Sequence, residues 1–110
     1  MLHFEKLVVW QKSIDYAKLL VLLADTLPSK YQYSFSDQLR RAALSIPSNI
    51  AEGAGRTSKK DRNHFYAIAK GSVYETVNIL KLLESLGIGT YQHMYEKAEE
   101  IVKMLYGLSK

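Results

Sequence analysis

Apolar residues recur at spacings of three and four in four separate stretches of the chain, and no stretch alternates in the manner of a strand. Trp10, Ile14, Ala17, Val21 and Ala24 define the first stripe. Pro28 stops it, so a helix is predicted over about Val9 to Leu27. Ahead of it, Leu2 to Val9 reads as an extended lead-in anchored by Phe4, Leu7 and Val8. After a loop at Ser29 to Tyr33, Ser34-Phe35-Ser36-Asp37 resembles a capping box. It opens a second helix whose buried stripe is Phe35, Leu39, Ala42, Ile46 and Ile50. Glu52-Gly53-Ala54-Gly55 ends that helix, with glycines suited to left-handed C-cap conformations. A third helix is predicted from about Ser58 to Leu86, along Phe65, Ala69, Ser72, Thr76, Ile79, Leu83 and Leu86. Gly87 and Gly89 punctuate the chain, and a fourth helix follows from about Tyr91 to Leu108, along Met94, Ala98, Ile101, Leu105 and Leu108. Four amphipathic helices with short turns predict an all-α fold, an antiparallel up-down four-helix bundle in one domain spanning residues 1–110.

Several features depart from a generic bundle. Leu19 to Ala24 is apolar at every helical angle, which requires a second buried face, either inside the monomer or at a subunit interface. Pro47 lies inside the second helix, where it removes a backbone hydrogen bond at a cost of ~3 kcal/mol and predicts a kink. The carbonyl freed there could form a polar pocket with Asn49, or the bend could simply follow the curvature of the bundle. Arg41, Ser45, Ser48 and Glu52 form a polar stripe with Arg40 beside it. On the third helix, Gly71-Ser72 would let a neighbouring helix approach closely. Glu75 would be a partly buried carboxylate in need of a partner, Arg40 or Arg41.

Composition narrows the chemistry. The 110 residues contain no cysteine, which removes disulfides, thiolate catalysis and Cys-ligated metals. No signal-peptide pattern and no apolar run of membrane-spanning length is present, so a soluble, cytoplasmic protein is expected. The formal charge of +4 is uneven: Arg40 to Lys70 holds seven Lys/Arg against two acids, and the rest of the chain is slightly acidic. Arg56, Lys59, Lys60 and Arg62 surround a second cap-like motif, Ser58-Lys59-Lys60-Asp61. Cations at a helix N-terminus oppose the macrodipole, an arrangement that an anion would relieve. These four, with Lys70 farther along, are the candidate nucleic-acid contacts, although a solvated charged face would carry the same residues. Tyr16, Tyr66, Tyr95 and Tyr106 border core stripes. Tyr74, with Lys70 and Lys81 on its helix, is the tyrosine best suited to a surface contact.

Other chemistries find little support. Bundle metal sites use inward Glu-x-x-His pairs, which the chain lacks, and His3, His64 and His93 are isolated in sequence. Ser45, Ser48 and Ser72 have no evident histidine base, and Gly53-Ala54-Gly55 fits no phosphate-binding loop. No cofactor, no metal and no enzymatic activity are expected.

The runs L-V-V-W-Q-K-S, Q-L-R-R-A-A-L-S-I-P-S-N-I-A-E-G-A-G-R and I-A-K-G-S-V-Y-E closely resemble the 23S rRNA intervening-sequence proteins over nearly the whole chain. The resemblance implies a small bacterial four-helix bundle that assembles as a ring, typically a homopentamer. It also implies relatives, among them accessory proteins of diversity-generating retroelements, that bind structured nucleic acid and a reverse transcriptase. The matching signature residues are Arg40, Arg41, Ser45, Pro47, Asn49, Glu52, Gly53, Arg56, Gly71, Ser72 and Glu75. Two functions are therefore expected: an oligomer that binds RNA or DNA through a basic surface, or a scaffold that docks a nucleic-acid enzyme as its protein partner.

Overall fold

Each of the four periodicities becomes a helix in the computed structural model, which describes residues 1–110: α1 Val8–Thr26, α2 Asp37–Ala54, α3 Lys59–Ser85 and α4 Gln92–Leu108. There is no strand. α1 packs on α2, α2 on α3, α3 on α4 and α4 back on α1, in a body of 44 × 21 × 21 Å. The fold is the expected all-α up-down bundle. Opposite ends of neighbouring helices meet, as where Asn63 at the start of α3 donates to the carbonyl of Ser109 beyond α4 (3.0 Å). No helix is long and apolar enough to cross a membrane.

The core gathers Leu39, Ala43, Ile46 and Ile50 of α2, Ala69, Val73, Leu80 and Leu83 of α3, and Ala98, Ile101 and Leu105 of α4. These stripes follow the sequence pattern except at two ends, where Leu86 and Leu108 of the predicted seams are 48% and 42% exposed. α1 does not: it is rotated by about one residue from the predicted phase. Its core face is Val9, Ser13, Tyr16, Leu20 and Ala24, whereas Ile14 and Val21 of the predicted seam are 39% and 37% exposed. Two polar side chains make this rotation affordable because their hydrogen bonds are satisfied inside. Ser13 donates to the Trp10 carbonyl at 2.7 Å. Thr76 gives its one proton to the Val73 carbonyl (2.6 Å), so the Tyr16 hydroxyl is the donor in the buried 2.8 Å bond to Thr76 Oγ1.

The connections also differ from expectation. His3–Lys6 is a 3₁₀ turn rather than an extended lead-in, with the Phe4 ring edge-on to Trp10 at 5.1 Å. Between α1 and α2 the chain coils through a 3₁₀ turn and a π-helical turn, Gln32–Ser36. Ser34 does not cap α2; its hydroxyl turns back to the Tyr31 carbonyl. The turn instead caps the end of α1. Gln32 Nε2 donates to the carbonyls of Ala24 and Leu27 (both 2.9 Å), and Ser36 Oγ to that of Ala24 (2.9 Å), which satisfies acceptors the helix end would leave unpaired.

Pro47 is buried inside α2, which runs unbroken to Ala54. Asn49 donates its amide to the Ser45 carbonyl and hydroxyl rather than to the carbonyl that Pro47 frees, so no Asn49 pocket forms there. Gly53 and Gly55 do not adopt left-handed conformations either. Gly53 lies within α2, and a Cβ on it would sit 2.8 Å from the Tyr66 ring and 3.1 Å from Phe65 Cβ. It is glycine because α3 passes so close. The one left-handed residue is Gly87, at φ 76°. There the Ile88 N–H bonds the Leu83 carbonyl and the Gly87 N–H that of Glu84, a Schellman ending for α3.

The two mid-helix glycines make opposite predictions in thermal or chemical denaturation. Gly53→Ala forces the Tyr66 ring aside and should cost about 1–3 kcal/mol. Gly71→Ala, at an exposed site with nothing within 4 Å, should stabilise by about 0.5–1 kcal/mol. Alkaline pH provides another test. Burial raises the Tyr16 pKa above its ordinary value of 10.0, only partly offset by the Thr76 bond. The phenol then stays protonated when folded while the unfolded chain ionises. Its contribution should be fully present below about pH 10 and lost as pH rises above it, and Tyr16→Phe should flatten that decline in urea midpoints.

Candidate nucleic-acid interface

The basic cluster lies at the corner where α2 gives way to α3. Ser58 caps α3 as predicted, its hydroxyl accepting the Asp61 N–H at 3.1 Å. Arg62 reaches back over the turn, and Nη1 donates to the carbonyls of Thr57 (2.8 Å) and Arg56 (3.3 Å). Its guanidinium closes the corner. Arg56 pairs with Glu52 one turn earlier (3.1 Å) and lies 4.8 Å from the centre of the Phe65 ring. Lys59 and Lys60 differ from both: they are exposed on the first turn of α3 and enter no ion pair. Beside Arg56 opens a shallow cleft of about 650 Å³, lined by Phe4, Ser48, Ala51, Glu52, Gly55 and Arg56.

Lys70 is set apart from this corner. Three turns along α3, about 16 Å from Lys59 at the standard rise, its ammonium stands 3.8 Å from the centre of the Tyr106 ring on α4. Lys81, three turns farther, stands 4.0 Å from the centre of Tyr95. The neighbouring Tyr106 hydroxyl is the main influence raising the Tyr74 pKa between them. Burial, followed by the neighbouring Glu84 carboxylate, drives Tyr95 much higher. Sequence reasoning had placed Lys70, Tyr74 and Lys81 on one helix. It missed Tyr106 and Tyr95 as their partners, since no local pattern tells which rings α4 turns toward α3.

The signature residues divide by the work they do. Ser72 donates to Ser45 Oγ at 2.7 Å and Asn49 Nδ2 approaches the same oxygen at 2.9 Å, so three polar side chains join α2 to α3. Arg40 binds Asp25 (2.9 Å), Gln32 (2.8 Å) and Asp37 (3.3 Å), gathering α1, the π turn and α2 at one corner. The expected partnership of Glu75 with Arg40 or Arg41 is not formed. Arg40 is committed elsewhere, and Glu75 and Arg41 are exposed and outside every ion pair. Gly71 likewise faces outward, so close helix contact falls to Ser72 alone.

The cations should separate by the same logic in a denaturation series. Arg62→Ala removes two bonds to turn carbonyls and should cost about 1 kcal/mol. Lys59→Gln and Lys60→Gln should stay within about 0.5 kcal/mol of the parent.

None of the curated proteins is similar enough to the chain to count as a relative. Among solved structures, the chain is similar to the crystal structure, at 1.70 Å resolution, of a protein of unknown function from the S23 ribosomal protein family of Bacteroides thetaiotaomicron. The TM-score is 0.82 at 30% identity, with 94% of this chain and 99% of that one covered. The sequence model of the 23S rRNA-intervening sequence proteins matches residues 5–107. With nearly every residue inside that match and the bundle shared, this chain belongs to the 23S rRNA-intervening sequence protein family.

Proposed function

We propose that the protein is a non-enzymatic, cytoplasmic oligomer that binds structured RNA or DNA through the corner between α2 and α3. The supporting observation is the state of Lys59 and Lys60, two exposed cations without ion-pair partners at the positive end of a long helix. An anion there would be held by both ammonium groups and by the free amides of the first turn. Arg56, already turned to Glu52, contributes at the edge, and Arg62 keeps the turn in shape.

Assembly draws support from a second feature. Ile14, Ala17, Val21 and Leu22 of α1 and Leu44 and Pro47 of α2 line an apolar groove of about 340 Å³. Leu44 is 68% exposed, and a second copy of the chain would cover such a surface. A ring, pentameric as the family resemblance implies, would repeat the basic corner around one rim and let weak contacts add. The same groove supports the alternative reading, an accessory subunit that docks a nucleic-acid enzyme.

Binding of duplex RNA or DNA should weaken steeply with salt. Lys59→Gln/Lys60→Gln should lower the slope of log K against log salt by about two. Binding that ignores salt, or none at low salt, rules the reading out. A stoichiometric protein partner that survives nuclease treatment in a native purification favours the docking alternative.

A further inference from the structure

We infer that the α3–α4 face is a track for an unpaired nucleic-acid strand, with bases stacked on Tyr74 and Tyr106 and phosphates held by Lys70 and Lys81. The inference rests on the proposed nucleic-acid function and adds a separate surface and a substrate form. Lys59, Lys70 and Lys81 are spaced eleven residues apart, close to three helical turns. They therefore share one line along α3, with steps of about 16 Å. Tyr74 lies one turn beyond Lys70 on that line, and Tyr106 faces it from α4, held by the Lys70 ammonium at 3.8 Å. Both tyrosines are more than half exposed, at 55% and 54%, and the Lys70 ammonium, which covers one face of the Tyr106 ring, would leave that face to meet a phosphate. They are not core rings that happen to border solvent: the buried aromatics of α3, α4 and the turn between them are Tyr66, Tyr91 and Tyr95, at 4–8% exposure.

Charge on the face favours a polyanion. Lys103, three residues before Tyr106 on α4, and Lys110, just beyond the end of that helix, are exposed as well. The acids here are Glu99, two turns before Tyr106, Glu96, two turns before Lys103, and Glu84, whose carboxylate accepts the Tyr91 N–H at 3.0 Å. The cations outnumber them. A step of about 16 Å between Lys70 and Lys81 corresponds to four or five stacked nucleotides at ~3.4 Å each. That is enough for bases to reach both rings while phosphates meet both lysines. Rings interleaved with lysines fit a single strand, because a duplex keeps its base faces inside its own stack.

The test uses the full chain and fluorescent oligouridine and oligothymidine of about ten nucleotides, beside a duplex of the same length. Tyr74→Leu and Tyr106→Leu should each weaken single-strand binding about tenfold with the salt slope unchanged. Tyr74→Phe should bind within about twofold of the parent. Lys70→Gln and Lys81→Gln should each lower the single-strand slope by about 0.7. Photocrosslinks from 5-iodouridine should map to Tyr74 or Tyr106. Failure of the parent to bind either oligomer, leucine variants that bind as well as the parent, or crosslinks confined to the α3 N-terminus would each overturn the track. Duplex binding that depends on Lys59 and Lys60 would still stand in those cases, so loss of this inference is distinguishable from loss of the proposed function.

Discussion

The buried hydroxyl pair of Tyr16 and Thr76 sets the rotation of α1, and the exposed apolar face of that helix follows from the rotation. A tyrosine hydroxyl left unpaired in the core would cost about 1–3 kcal/mol. Thr76's own proton goes to the Val73 carbonyl, which leaves its oxygen as the acceptor for Tyr16. Once Tyr16 points inward, Ser13 and Leu20 follow at helical spacing, and Ile14, Val21 and Leu22 must face outward. The exposed apolar groove beside Leu44 is thus the consequence of a satisfied polar core. It is the same surface that the proposed assembly would cover.

The second constraint is the closeness of α2 and α3. Gly53 leaves room for Tyr66, and Ser45, Ser72 and Asn49 share hydrogen bonds where larger side chains would hold the helices apart. With the helices drawn together, the turn between them is short, and Arg62 folds over its carbonyls. This geometry sorts the cations. Arg40 and Arg62 are structural because nearby acceptors engage their guanidinium groups, whereas Lys59 and Lys60 enter no ion pair. The charge excess of the sequence is therefore smaller as an available binding surface than as a count.

Much of the fold was legible locally. The stripes of α2, α3 and α4 were readable because polar and apolar residues separate cleanly at helical spacing, and Ser58 announced its cap through Asp61 three residues on. The phase of α1 was not readable, since Leu19 to Ala24 is apolar at every angle and the deciding residues, Ser13 and Tyr16, look polar in sequence. The role of Gly53 was misread for a related reason: a glycine near a helix end suggests a turn, and only the position of Tyr66 shows that it is a packing requirement. In the candidate site the sequence located the basic corner, but the engagement of Arg62 and the exposure of Glu75 depended on which way each helix turned.

From the residues alone came the four helices, their order, the cysteine-free chemistry, the basic corner and the family. Those features rest on spacing and composition, which are local properties of the chain. Only the tertiary structure decided which apolar residues stay outside, which cations remain unpaired and which rings the lysines of α3 meet. Each of these depends on the rotation of one helix against another, and that rotation is settled by partners distant in sequence, such as Tyr16 with Thr76, Ser45 with Ser72 and Lys70 with Tyr106.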